Sequence, residues 1–204
     1  MVIPPATSVA DDWLDLLPGR LWSELSTEEK HERILCAAGR VFAREGLDAS
    51  MPAVAAEAGA GIGSLYRQFP SKQDLLAALV IRRLLQTRAA AVQAAAQPGD
   101  HWQAMQQMLW VTVERHAADD FLGEAWNQVE DHDQVQVAAG ATIQAFARLV
   151  DLARAEGGIR ADATALDIRM LFAATRASRQ VHPDAWQRVL ELMIDGLAQG
   201  PKRP

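Results

Sequence analysis

The chain has 204 residues, half of them hydrophobic, enough to bury a substantial core in one or two domains. A formal charge of −6 argues against a surface that binds polyanions throughout, and a single cysteine, Cys36, excludes an internal disulfide and a secreted cystine scaffold. The longest strongly apolar run, residues 75–81, is far shorter than the ~20 residues of a membrane helix, and MVIPPATSVADDW has no positive segment ahead of an apolar one. The chain therefore reads as cytoplasmic, with no membrane partner.

Helix-period patterning dominates, with no convincing run of alternating β-branched residues. Residues 1–25 read as an acidic, proline-bearing arm, in which residues 11–17 and Trp22 offer a small amphipathic piece. Ser26 and Glu29 form a capping box for a helix over about 28–45, which sets Ile34, Leu35, Ala38, Val41 and Phe42 on one face. Cys36 falls among them and is expected to be an inert buried thiol. Gly46 stops that helix.

Ser50 then caps a short second helix ending at Ala58, with Pro52 in its first turn and Val54 and Ala55 pointing inward. Gly59 turns the chain into a third helix, from about Ile62 to Phe69, which Pro70 breaks. Two short helices joined by a glycine turn make a unit that lays its second helix in a DNA major groove. The charge distribution agrees. Residues 27–88 hold nine Lys/Arg against seven Asp/Glu, whereas residues 89–204 hold ten against fifteen.

Ser71 and Asp74 make a further capping box, opening a long helix over about 72–95. After the turn Gln97-Pro98-Gly99-Asp100, helices are expected at about 101–118, 121–130 and 134–156, a break at Gly157-Gly158, and two more at about 163–180 and 183–199, with Pro183 opening the last. The fold class is all-α. Residues 1–25 form the arm, 26–71 a three-helix helix-turn-helix DNA-binding domain, and 72–200 a helical bundle.

The stretch Ala58-Gly59-Ala60-Gly61-Ile62-Gly63-Ser64-Leu65-Tyr66-Arg67-Gln68-Phe69-Pro70-Ser71-Lys72 resembles the helix-turn-helix signature of the TetR family of bacterial transcriptional regulators. The resemblance covers residues 27–88; beyond them it rests on helix number and length. It implies a homodimeric, ligand-responsive repressor, not an enzyme, that binds a palindromic operator, is nucleoid-associated when DNA-bound, and needs no cofactor.

Leu65 and Phe69, at i and i+4, are expected to face the core, which turns Tyr66, the one tyrosine of the chain, outward. That matches the family's tyrosine-to-phosphate contact. Gly63 permits close approach to DNA, with Ile62 beside it, and Ser64 reaches a phosphate or base edge. Arg67 and Gln68 are candidate base readers, for guanine and adenine respectively. Lys72 adds charge to a helix N-terminus already suited to phosphate. The family's usual capping Ser/Thr is replaced by Gly61, and a position where some members carry a base-reading arginine is Pro52, which leaves Ser50 as a phosphate contact from the second helix.

In the bundle, Trp102, Met105, Leu109, Phe121, Trp126, Phe146 and Met170 are core candidates that can also line a cavity for an unidentified small-molecule effector, with His116 and Arg176 as polar partners. Wide apolar faces on the last two helices, including Leu166, Met170, Leu190, Met193, Ile194 and Leu197, correspond to the family's dimer interface. Gly59-x-Gly61-x-Gly63 follows a helix and lacks the spacing of a nucleotide-binding loop. Residues 130–133, Glu-Asp-His-Asp, read as a solvated loop in preference to a metal site. Nothing in the histidine or carboxylate spacing suggests catalysis. Two alternatives remain: a structural DNA binder without an effector, and a helical enzyme that has borrowed the reader.

Overall fold

A computed structural model describes residues 21–119 and 121–198. The amphipathic piece expected at residues 11–17 lies outside them, as does the end of the last expected helix. Trp22–Glu24 forms a 3₁₀ turn, followed by nine α-helices among the described residues: α1 (Thr27–Glu45), α2 (Met51–Ala58), α3 (Ile62–Gln68), α4 (Lys72–Ala96), α5 (His101–Ala118), α6 (Phe121–Val129), α7 (Asp133–Ala155), α8 (Ala165–Ser178) and α9 (Ala185–Leu197). The described residues contain no strand, only an isolated antiparallel bridge between Ile159 and Ala198.

Local chemistry sets the helix starts. Ser26 Oγ accepts from the Glu29 N–H at 3.2 Å, while Glu29 Oε2 accepts from the Ser26 N–H at 2.7 Å. Ser71 and Asp74 repeat this arrangement before α4, and Thr164 with Asp167 supplies the return bond before α8. Each such cap contributes about 1 kcal/mol by satisfying amides that the helix itself leaves unpaired.

The described residues fall into two compact units. Unit 1 holds those up to Arg82 together with Ala118–Val135; unit 2 holds Arg83–Ala117 and those from Gln136 on. In unit 1, Ile34, Leu35, Val41 and Phe42 of α1 are buried with Val54, Leu65, Phe69, Leu75, Leu76 and Leu79. Large side chains of this kind contribute about 1.5–3 kcal/mol each when fully buried. Cys36 is buried here, its Sγ 3.7 Å from Arg82 Nη1, and burial pushes its thiol pKa up, away from the reactive thiolate.

The segment after α5 returns to unit 1. Phe121 is buried there with its ring 6.1 Å from that of Phe42, and Leu122, Ala125 and Val129 are buried beside it on one face of α6. Of the expected effector set, Phe121 and Trp126 lie in unit 1, whereas Trp102, Met105, Leu109 and Phe146 belong to the unit 2 core. Helical spacing alone does not reveal which of two cores an apolar stripe joins.

Unit 2 packs α5, α7, α8 and α9 with the second half of α4 around Leu109, Leu149, Leu171 and Leu190. The Trp110 and Trp186 rings meet edge to face at 6.1 Å. Leu190, Ile194 and Leu197, expected in a dimer interface, are buried in this intrachain core. Met193 is half-buried against the same core. Leu166 and Met170 are 57% and 48% exposed.

Candidate nucleic-acid interface

The geometry of the reader begins with the turn at Gly59. Its φ of 65° and ψ of 29° lie in the left-handed region, where a Cβ carries a steric cost. From there the Gly59 N–H donates to Ala56 O at 3.1 Å and the Ala60 N–H to Ala55 O at 2.9 Å, the paired closure of a Schellman motif. The chain is then extended at Gly61, the N-cap of α3, which has no side chain to bond the first-turn amides.

Leu65 and Phe69 anchor α3. Both are buried, and the His31 ring of α1 lies 4.7 Å from that of Phe69. This fixes the rotation of the helix, so Tyr66 is 45% and Ile62 43% exposed. Gly61, Gly63 and Arg67 are exposed too, and Ser64 is half-buried. Arg67 lies along the outer face, its Nε donating to Gly63 O at 3.2 Å and its Nη2 3.5 Å from Ser64 Oγ.

The two candidate base readers differ. Gln68 is half-buried, with its Oε1 shielded from solvent and without a hydrogen-bond partner, so its amide must turn before it can meet a base. Arg67 is exposed, with its Nε engaged by Gly63 O. Ser50 is exposed; its Oγ accepts from the Ala53 N–H at 3.3 Å, which ties it to the start of α2. Lys72 is half-buried, with Nζ 5.8 Å from the centre of the Phe42 ring, an arrangement that steadies the side chain at the start of α4.

Two features were not legible in the spacing. Arg40 and Arg44 of α1 grip Glu57 of α2, and His132 approaches Asp74 at 4.0 Å through Nε2. No cluster of three or more His, Cys, Asp or Glu able to hold a metal occurs among the described residues, and none of their helices is long and apolar enough to cross a membrane.

Residues 34–79 match the family described as bacterial regulatory proteins, tetR family, and residues 97–199 match the transcriptional regulator SbtR-like, C-terminal domain. The chain belongs to the TetR family. A TetR transcriptional regulator from Streptomyces coelicolor is 29% identical, with a TM-score of 0.64 over 85% of this chain and 99% of its own. A TetR transcription regulatory protein from Mycobacterium vanbaalenii is also 29% identical, with a TM-score of 0.57 over 83% and 95%. SmeT, the repressor of the Stenotrophomonas maltophilia multidrug efflux pump SmeDEF, shares the fold at 20% identity, with a TM-score of 0.62 over 85% and 97%. No curated protein matches the sequence. The protein is thus a TetR-family DNA-binding transcriptional regulator, and α3 lies within the residues that match the family's N-terminal model.

Of the expected effector residues in this TetR-family chain, Trp102, Met105, Leu109 and Phe146 are buried in unit 2. Met170 and Arg176 are exposed, which places them on the surface of α8. His116 is half-buried; its Nε2 is 3.3 Å from Thr87 Oγ1 and its ring 5.2 Å from that of Phe172. Burial, with Arg83 and Arg115 nearby, lowers its pKa to about 3, so the imidazole is neutral at physiological pH.

Proposed function

We propose that this regulator is a ligand-responsive repressor that binds a near-palindromic operator as a homodimer. The supporting observation is the orientation of α3: Leu65 and Phe69 lock it to the core while Ile62, Tyr66 and Arg67 face outward. Arg67 reads a guanine edge in the major groove, with Gln68 as a second reader once its amide turns. Ser50, Ser64, Tyr66 and Lys72 contact phosphate, and Gly61 and Gly63 let the backbone of α3 approach the duplex.

One reader helix provides few base contacts, so specific binding calls for two copies placed in successive major grooves roughly 34–36 Å apart. Leu166 and Met170 form the exposed apolar part of the proposed dimer surface. The effector binds in unit 2, and α4, which contributes residues to both units, carries the response. The ligand acts only by its differential affinity for the DNA-competent and DNA-incompetent arrangements.

Fluorescence anisotropy with the duplex upstream of the protein's own gene tests this. Binding should be at least about a thousandfold tighter than to unrelated DNA at physiological salt, at two protomers per operator, and a small apolar compound should reverse it. Equal affinity for unrelated duplexes would indicate a structural DNA binder instead.

A further inference from the structure

We infer that Ile62 is a base-reading residue, whose side chain packs on the C5 methyl of a thymine in each operator half-site. This rests on the reading of α3 as the helix that enters the major groove, and it names one base that the helix selects.

A single exposed apolar side chain is ordinary on a protein surface. The surroundings of Ile62 set it apart. It opens α3, 43% exposed, with a glycine on either side of it in the chain. Gly61 and Gly63 carry no side chain to cover it, and beyond their own chain neighbours a Cβ at either would meet nothing within 4 Å. Leu65, three residues on, is fully buried, so the core fixes the rotation of the helix without using Ile62. Tyr66, four residues on, is exposed on the same side as Ile62. The first turn of α3 thus presents one large side chain outward, a stiff β-branched hydrocarbon.

Chemistry limits what such a group can recognise. Ile62 neither donates nor accepts a hydrogen bond; set against a phosphate, it would strip water from the oxygens without replacing it. A recognition helix brings its first residues to the base edges. There every base presents donors or acceptors, and thymine alone adds a methyl group. Opposite thymine, Ile62 and the methyl bury each other. Opposite any other base, Ile62 leaves a donor or acceptor dry and unpaired. The side chain selects by attraction and by penalty together. Arg67 draws on the polar edge of a guanine, so the two residues specify different bases through different chemistry.

The test starts from an operator selected by the full-length protein out of a library of randomised duplexes. Each thymine of that operator is then replaced singly by deoxyuracil, which keeps the base pair and removes only the methyl. Fluorescence anisotropy should show one position per half-site where the change weakens binding about fourfold, and about sixteenfold with both half-sites changed. Ile62→Ala should bind thymine and deoxyuracil operators equally. Ile62→Val should keep part of the preference, and Tyr66→Ala all of it at lower overall affinity. Ile62 lies outside the core, and circular dichroism checks that each variant remains helical. The absence of any deoxyuracil-sensitive position, or a sensitivity that survives Ile62→Ala, overturns the assignment of Ile62 and leaves α3 as the reader. If the library yields no preferred duplex, the reading of α3 falls with it.

Discussion

Arg40 of α1 donates from Nε to Glu57 Oε1 of α2 at 2.8 Å, and Arg44, one helical turn further on, lies 3.6 Å from Glu57 Oε2. The short α2 has few large apolar side chains of its own, so this double grip supplements the burial of Met51 and Val54 in fixing the helix against α1. The orientation of α3 depends on that attachment, because the Gly59 turn passes directly from one helix to the other.

The grip makes reader stability pH-dependent with a definite sign. The hydrogen bond from Arg40 is the main cause of a Glu57 carboxyl pKa below the ordinary value of 4.5. A carboxyl lowered in the folded state adds stability above its unfolded pKa and loses it as pH falls through the folded value. Glu57→Gln should therefore cost about 0.5–1 kcal/mol at pH 7, and the gap to wild type should close between roughly pH 5 and pH 3. Urea melts across that range measure it. A gap that stays constant with pH would show that the carboxylate charge contributes nothing.

Tyr66, Arg67 and Lys72 should separate by the kind of contact each makes. Tyr66→Ala should weaken binding to every operator variant alike, because a phenol on phosphate carries no base information. Arg67→Ala should cost about 1–3 kcal/mol and relax preference at one base position. Lys72→Met should lower the salt dependence of binding by about one counterion. Anisotropy titrations on single-base variants at several salt concentrations read all three. An Arg67→Ala protein with undiminished base preference would leave Gln68, turned outward, as the reader.

Three glycines should respond differently to alanine. Gly59→Ala places a Cβ at φ 65° and 3.4 Å from Arg33 Nη2, and should destabilise unit 1 by about 1–2 kcal/mol. Gly158→Ala would set a Cβ 2.6 Å from Trp102 Cβ, where neither atom yields easily, so a loss of about 1–3 kcal/mol is expected in unit 2. Gly63→Ala meets nothing within 4 Å and lies inside a helix, so stability should rise by up to about 1 kcal/mol. Its operator affinity should nonetheless fall, because the methyl stands where the duplex approaches. Thermal melts with parallel binding measurements distinguish these outcomes; unchanged affinity in Gly63→Ala would refute the close approach.

The helices were legible because their causes are local. Ser26 with Glu29 and Ser71 with Asp74 announce starts within four residues, and the i, i+4 pair Leu65 and Phe69 dictates which way Tyr66 faces. What escaped the sequence is non-local. Phe121 sits 79 residues after Phe42 and shares its core, yet its helical period is the same as that of the unit 2 stripes. Glu57 carries no sign of its distant arginines, and Leu190 looks no different from an interface leucine until α8 is seen to pack against α9. The Thr87–His116 pair was half visible: the histidine stood out by type, but a threonine in an alanine-rich helix did not.

The same distinction between buried and exposed leucines yields a test of the dimer. Leu166 and Met170 project from α8 at 57% and 48% exposure, four residues apart and so on one face. Leu166→Glu with Met170→Glu should leave the subunit folded, since neither residue is part of the core, but drive the dimer to monomer by placing charge in an apolar contact. Leu190→Ala should do the reverse: a truncation at a fully buried position costs about 2–5 kcal/mol of stability and leaves the surface of α8 intact. Sedimentation velocity alongside thermal melts separates the two effects. A double glutamate variant that remains dimeric would mean that the two-fold contact lies elsewhere than on this face of α8. A monomeric double variant that kept full operator affinity would show that one reader suffices, contrary to the two-groove arrangement.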